Sequence, residues 1–321
     1  MESTFIRHKR IYKCRAIAYN FYCRMLNCQC VKALQCSHGR HSKGNVDSCR
    51  NPHLPFFYYG GREKVAFLLE AKNCGKSFKG LQAVKEFSAQ LEEGRIYGLI
   101  GTNGAGKTTV INMLSGVLPP TSGQIIYQGE DITGWKPDRV AKSGILRTYQ
   151  NLRLFGKMTA LENTVIGAQM HRQYSFMDGL VHTKRFSVNE EQYYAKARRM
   201  LEVMEIDSYA DARADSLPYG SQRRLEIARI LAADPKLILL DEPAAGMNPQ
   251  ESAELVRTIR NVQKEFGLTV LLIEHDMKVI MNLCEYIYVM ASGEVIASGT
   301  PEEIRSDPRV VAAYLGRQTN A

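Results

Sequence analysis

From Val65 onward, short apolar runs alternate with amphipathic stretches. The runs VAFLLEA, RIYGLIG, GQIIYQG, ILRTYQ, KLILLDEP, LTVLLIEH and EYIYVMASGEVIASG are rich in apolar and β-branched residues, which predicts strands. Between several of them apolar residues recur at helical spacing, as over Ser252–Phe266 and Met277–Leu283. LILL and TVLLI are apolar without interruption. Such strands are covered on both faces, which predicts a parallel sheet beneath helices. From about Met158 to Ile230 the strand signal disappears and helix formers dominate. That stretch, about 158–230, reads as a helical subdomain inserted into an α/β core spanning 65–321. There are no internal repeats and no heptads.

Composition changes the picture only at the N-terminus. The net charge of +9 suggests a polyanion partner until it is divided along the chain. Residues 1–64 hold 12 of the 42 Lys and Arg and 3 of the 33 Asp and Glu, an excess equal to the whole net charge. The remainder is neutral, so the basic balance does not argue for a nucleic-acid partner. Six of the eight cysteines also lie in 1–64; only Cys74 and Cys284 lie later, which suits a reducing compartment. A zinc site from Cys28, Cys30, Cys36 and His38 is one reading of the cluster, although its spacings are not the usual C-x₂₋₄-C. A transit-type extension is another, against which the segment lacks Ser-richness. The plainest reading makes 1–64 a mis-assigned start outside the mature fold, expected to be disordered or weakly structured. No apolar run reaches the roughly 18 residues that crossing a bilayer needs.

The chemistry begins at GTNGAGKTT, Gly101 to Thr109, which fits G-x-x-x-x-G-K-[ST] between an apolar strand and a helix. Gly101, Gly104 and Gly106 let the backbone wrap a phosphate and aim N–H groups at it, with Thr102, Asn103 and Ala105 completing the loop. The helix start adds partial positive charge. Lys107 supplies a full charge to the β- and γ-phosphates, and Thr108, followed by Thr109, offers a hydroxyl to Mg²⁺. LILLDEP then ends a buried strand in Asp241, placed to hold Mg²⁺ through water. Glu242 follows and, by strand alternation, points elsewhere; it is the candidate to polarise the attacking water. His275 ends LLIEH at another strand tip, where α/β sheets gather ligands.

A phosphate loop, a Gln at a strand end, a Gly-containing helix start, LLDEP and a terminal His form one ordered set. It resembles the nucleotide-binding subunit of ABC transporters over about Leu68 to Gly316. The resemblance implies a P-loop NTPase fold with a mainly parallel core sheet, an antiparallel β subdomain and an inserted helical subdomain, with ATP and Mg²⁺ as ligands. It makes Gln150 the glutamine that touches Mg²⁺ and the attacking water, and His275 the switch histidine. Leu217, Pro218, Tyr219, Gly220 and Ser221, with Gln222 after them, stand at the signature motif, which faces ATP held by an opposing subunit. Ala245, Gly246, Met247 and Asn248 stand at the D-loop. Phe78, 29 residues before Lys107, stands where the family stacks an aromatic on adenine.

LPYGSQRRLEIARIL, LLDEPAAGMNP, RTYQNLRLFGKMT and the tail DPRVVAAYLG resemble one branch, the ATP-binding subunits of branched-chain amino-acid uptake systems. His171–Glu190 looks like an extra helical segment of that branch. Urea and short-amide importers share much of the pattern; lipid exporters and soluble ABC proteins share less. The branch implies a sister ATPase, as a heterodimer in preference to a homodimer. It also implies two membrane permease subunits, an extracytoplasmic substrate-binding protein and a place on the cytoplasmic face of the plasma membrane. Two departures stand out. Pro218 replaces the signature Ser, whose hydroxyl touches the γ-phosphate, leaving backbone N–H groups near Tyr219, Gly220 and a helix start expected at Ser221. Asn248 replaces the usual D-loop Asp.

Overall fold

Two sheets of different character share one layer of apolar side chains. The computed structural model describes residues 67–172, 174, 175, 178, 181 and 183–315. Segment 1–64, with its cysteine cluster and expected disorder, lies outside them. β1 (Leu69–Phe78) and β2 (Leu81–Leu91) form a hairpin. β3 (Ile96–Gly101) leads through the phosphate loop into α1 (Lys107–Leu114). β4 (Ser122–Tyr127) and β5 (Glu130–Asp131) complete an antiparallel sheet in the order β2-β1-β4-β5. After α2 (Pro137–Lys142) comes β6 (Ile145–Arg147). Among the described residues no strand follows until β7 (Leu237–Asp241). The interval holds α3 (Ala160–Ala168), α4 (Lys184–Val203) and α5 (Tyr219–Leu231). α6 (Pro249–Phe266), β8 (Thr269–Ile273), α7 (Met277–Leu283), β9 (Tyr286–Ala291), β10 (Glu294–Gly299), α8 (Pro301–Ser306) and α9 (Pro308–Leu315) finish the chain.

The second sheet runs β10-β9-β3-β8-β7-β6, parallel except for the β9–β10 hairpin. Its strands sort their side chains between two cores with period two. Tyr97, Leu99, Leu237, Leu239, Leu271 and Ile273 face α1 and the antiparallel sheet. Ile96, Ile100, Ile238, Leu240, Val270 and Leu272 face the helices of the other side. Burial on both faces is why these strands read as unbroken apolar runs. Each such side chain contributes about 1.5–3 kcal/mol over its exposed state.

β2 has no counterpart among the predicted strands. Its sequence, LQAVKEFSAQL, buries Val84, Phe87, Ala89 and Leu91. The step of three from Val84 to Phe87 accompanies register shifts in the pairing with β1. A bulge of this kind breaks the alternation that a period-two scan needs. In the helical stretch, Thr159 and Glu162 make a reciprocal capping box that starts α3. Leu161 and Val165 of α3 share a core with Leu201 of α4 and Leu225 of α5. α5 begins two residues before the expected Ser221: Pro218 is its N-cap and Tyr219 its first residue. Pro218 offers no side-chain acceptor, so the first N–H groups of α5 receive no capping bond from it.

Candidate active site

The carboxyl ends of β3, β6, β7 and β8 converge, and each delivers a different group. A parallel sheet forces this, because every βα crossover begins at the same edge. At the end of β3, Gly101 has φ +153°, and a Cβ there would lie 2.2 Å from the Met290 carbonyl oxygen. Gly106, at φ +100°, would set a Cβ 2.7 Å from the Ala83 carbonyl. The loop is thus pinned against β9 and β2 in a shape open only to glycine. Lys107, the first residue of α1, turns back over it: its Nζ donates to the carbonyls of Gly101 (2.8 Å) and Thr102 (3.1 Å). Burial lowers its pKa, and the charges of Glu242 and Asp241 oppose that shift.

Asp241 ends β7, as expected, and is buried. Its N–H donates to Thr148 Oγ1 (3.1 Å), and its Oδ2 lies 3.3 Å from the Arg147 guanidinium. Arg147 also donates to Asn112 Oδ1 (2.6 Å) and Ser115 Oγ (3.1 Å) in the last turn of α1. Burial raises the pKa of Asp241 and lowers that of Arg147; each partner's charge opposes the shift of the other. Glu242 lies past the strand, at φ +50°, so a left-handed backbone rather than strand alternation turns its carboxylate away from Asp241. Its Oε2 accepts from Gln150 Nε2 (3.0 Å) and its Oε1 lies 2.5 Å from His275 Nε2. An ionised carboxylate only accepts, so His275 Nε2 carries the proton of that bond. Glu274 supports the arrangement from below: it accepts from the N–H groups of Ala244 (2.8 Å) and His275 (3.2 Å).

Ala83, the loop from Asn103 to Thr109, Gln150, Glu242 and His275 line one cleft of about 480 Å³. Phe78, the signature residues and the D-loop are not among its walls. Phe78 ends β1, 41% exposed, with Lys76 Nζ 5.5 Å from its ring centre. The signature and D-loop instead meet each other. A Cβ on Gly246 would touch the Tyr219 ring at 3.2 Å, and Gln222 Nε2 donates to the Leu217 carbonyl (2.9 Å). Asn248 caps α6 through a reciprocal box with Glu251, before Pro249. Asn and Asp are near-equal acceptors at an N-cap, so the departure from Asp leaves this task intact. Arg147, Thr148 and Glu274 carry no sequence signal of their own: Asp241, a partner of the first two, lies 94 and 93 residues on, and Ala244, one partner of Glu274, lies 30 residues back.

The cradle fits a nucleotide's phosphates. It combines a glycine-only loop, a buried cation and a cleft wall of carboxylate, amide and imidazole, with the buried Asp241 beneath. A family described as ABC transporter matches residues 84–245. A second, described as branched-chain amino acid ATP-binding cassette transporter, matches 294–319. The high-affinity branched-chain amino acid transport ATP-binding protein BraF of Pseudomonas aeruginosa is 43% identical over 249 residues, 78% of this chain and 98% of that protein. LivG of Escherichia coli, described in the same words, is 41% identical over the same shares. The Escherichia coli lipopolysaccharide export system ATP-binding protein LptB is 36% identical, covering 77% and 97%. A nucleotide-free ATP-binding cassette from an ABC transporter superposes with TM-score 0.68 at 33% identity, covering 77% of this chain and 98% of that one. An ADP conformation of such a cassette gives 0.68 at 32%, covering 78% and 99%. With the family pattern running from β2 through the loop after β7, and cassette-length relatives sharing two-fifths of their residues, this chain belongs to the ABC transporter family as an ATP-binding, ATP-hydrolysing subunit.

Proposed function

We propose that the chain powers a branched-chain amino-acid importer by hydrolysing ATP between its own phosphate loop and the signature turn of a sister subunit. The observation that carries this is Glu242, held by Gln150 and His275 at the mouth of the glycine cradle. The loop N–H groups and Lys107 bind the β- and γ-phosphates, and Phe78 stacks on the base. Thr108 and Gln150, with Asp241 beneath them, would hold Mg²⁺, which would neutralise phosphate charge. Glu242 orients a water and takes its proton as the water oxygen bonds to the γ-phosphorus. The bond from that phosphorus to the β-phosphate oxygen breaks, releasing ADP and phosphate. His275 steadies the Glu242 carboxylate and faces the γ-phosphate. The signature turn contacts the partner's ATP through the free N–H groups of Tyr219, Gly220 and Ser221, and the D-loop packs beside it.

The branched-chain assignment rests on the 294–319 match and on the names of the relatives. It brings with it a heterodimer with a sister ATPase, two permease subunits, an extracytoplasmic binding protein and a place on the cytoplasmic membrane face. Glu242→Gln should retain ATP and lower turnover about 100- to 10,000-fold, the range for a positioned base. Undiminished hydrolysis removes Glu242 from this role. Uptake of labelled leucine, urea and short amides in cells lacking the chain tests the cargo; loss of urea or amide uptake alone overturns it.

A further inference from the structure

The loop from Thr148 to Arg153, which carries Gln150, has backbone carbonyls held by arginines. Arg147 Nε donates to the Thr148 carbonyl (3.3 Å). Arg223 donates from one guanidinium nitrogen to the carbonyl of Tyr149 (3.0 Å) and from the other to that of Gln150. Arg229 donates to the carbonyl of Arg153 (2.6 Å). Between the last two, Glu226 lies 3.4 Å from Arg223 and faces the backbone N–H groups of Tyr149 and Arg153.

Arg223, Glu226 and Arg229 are spaced three apart, so they form one face of α5. Arg223 and Glu226 are 3% and 1% exposed. Burying two charges in a helix face is unfavourable unless each is fully paired. Here Arg223 is paired by Glu226 and by main-chain carbonyls of a loop joined to β7 at Thr148, while Glu226 Oε1 has no hydrogen-bond partner among the described residues. A fixed side-chain face gripping a loop by its backbone makes the two move together.

The same Arg223 reaches back one turn to the start of the helix: its Nε donates to the Tyr219 hydroxyl (3.1 Å). The Tyr219 ring abuts Gly246. A continuous path therefore runs from Glu242 through the Gln150 side chain and carbonyl to Arg223, Tyr219 and the loop after β7. We propose that Arg223, seated by Glu226, is a positioning residue that ties the state of this chain's own cleft to its outward-facing signature turn. The inference rests on the reading of the cleft as an ATP site.

The test is hydrogen–deuterium exchange of the full chain with and without a non-hydrolysable ATP analogue, at dilutions where it sediments as a monomer. In the wild type the analogue is expected to slow exchange at residues 103–110, 149–153 and 219–226. Arg223→Met with Glu226→Met replaces the buried pair by apolar groups of similar size, which keeps such a site packed. That double variant is expected to keep the analogue-dependent protection at 103–110 and to lose it at 219–226. Arg223→Lys keeps the charge beside Glu226 without the two-pronged fork, and should weaken the protection at 219–226 even if the double variant fails to fold. Wild-type protection of 219–226 in either folded variant overturns the proposal, as does a wild type protected at 103–110 but not at 219–226. A wild type unprotected at 103–110 instead refutes the ATP site on which the inference stands.

Discussion

Two helix starts in this chain look alike on paper and differ in the fold. Both α1 and α5 have a glycine within one residue of their first position and leave N–H groups free. At α1, Gly101 and Gly106 hold positive φ with neighbouring carbonyls at 2.2 and 2.7 Å from any added Cβ, so the fold itself demands glycine. At α5, Gly220 is helical, and a Cβ would meet only Glu251 and Met247, at 3.5 Å or more. Tyr219 beside it is 42% exposed. The first turn is a finished cradle with its own walls and cation. The second is a cap beside Glu251, Met247 and the Gly246 loop, where no neighbour comes closer than 3.5 Å to an added Cβ on Gly220, so packing within the fold does not demand that glycine.

That contrast can be broken by substitution, beginning with the largest effect. Gly101→Ala is expected to lower stability by about 3 kcal/mol or more, since it combines backbone strain with a carbonyl clash. Gly220→Ala should leave stability level or raise it by up to about 1 kcal/mol, because alanine is the better helix residue. Denaturant melts of the two variants give the comparison directly, and equal losses would end it. Lys107→Ala should weaken ATP binding by roughly 10- to 150-fold, the worth of a charge-assisted bond, as read by calorimetry. Retained affinity would show the cradle working without its cation. Pro218→Ser adds a hydroxyl at the second turn and should tighten ATP binding in the closed pair by about tenfold. Unchanged or weaker binding there would mean that the free N–H groups already suffice.

The smallest effect concerns the support beneath the cleft. Burial raises the pKa of Glu274 above its ordinary 4.5, with the N–H groups of Ala244 and His275 opposing. The folded chain then keeps a proton that the unfolded chain has lost, so this group lowers stability as pH rises from 4.5 through its folded pKa. Asp307 acts oppositely: the bond from Arg309 depresses its pKa, and its contribution is lost as pH falls. Glu274→Gln keeps an oxygen for the Ala244 N–H and should flatten the slope of stability between pH 4.5 and neutrality. An unaltered slope would assign the pH dependence to other groups.

The parallel core was legible because double-sided burial writes itself as unbroken apolar runs in β7 and β8. The bulged β2 was not, since Val84 and Phe87 are three apart and the alternation fails between them. The cradle was legible because its residues are contiguous, and one loop's backbone fixes their relation. Arg147 was not: its partner Asp241 lies 94 residues on, and an arginine in a strand carries no local mark of a buried pair. Arg223, Glu226 and Arg229 read as the polar side of a helix, and only the loop packed on them turns that side inward.

The sequence alone determined which chemistry the chain carries, because the phosphate loop, the LLDEP strand and the strand-end histidine each contain their own geometry in a few consecutive residues. The tertiary structure decided which groups meet. It set Glu242 between Gln150 and His275, left Pro218 as a cap facing outward, and closed four arginine bonds around the Gln150 loop. The physical reason is that covalent spacing governs neighbours along a chain, whereas a carboxylate, an amide and an imidazole more than thirty residues apart converge only when a twisted sheet brings their strand ends to one edge.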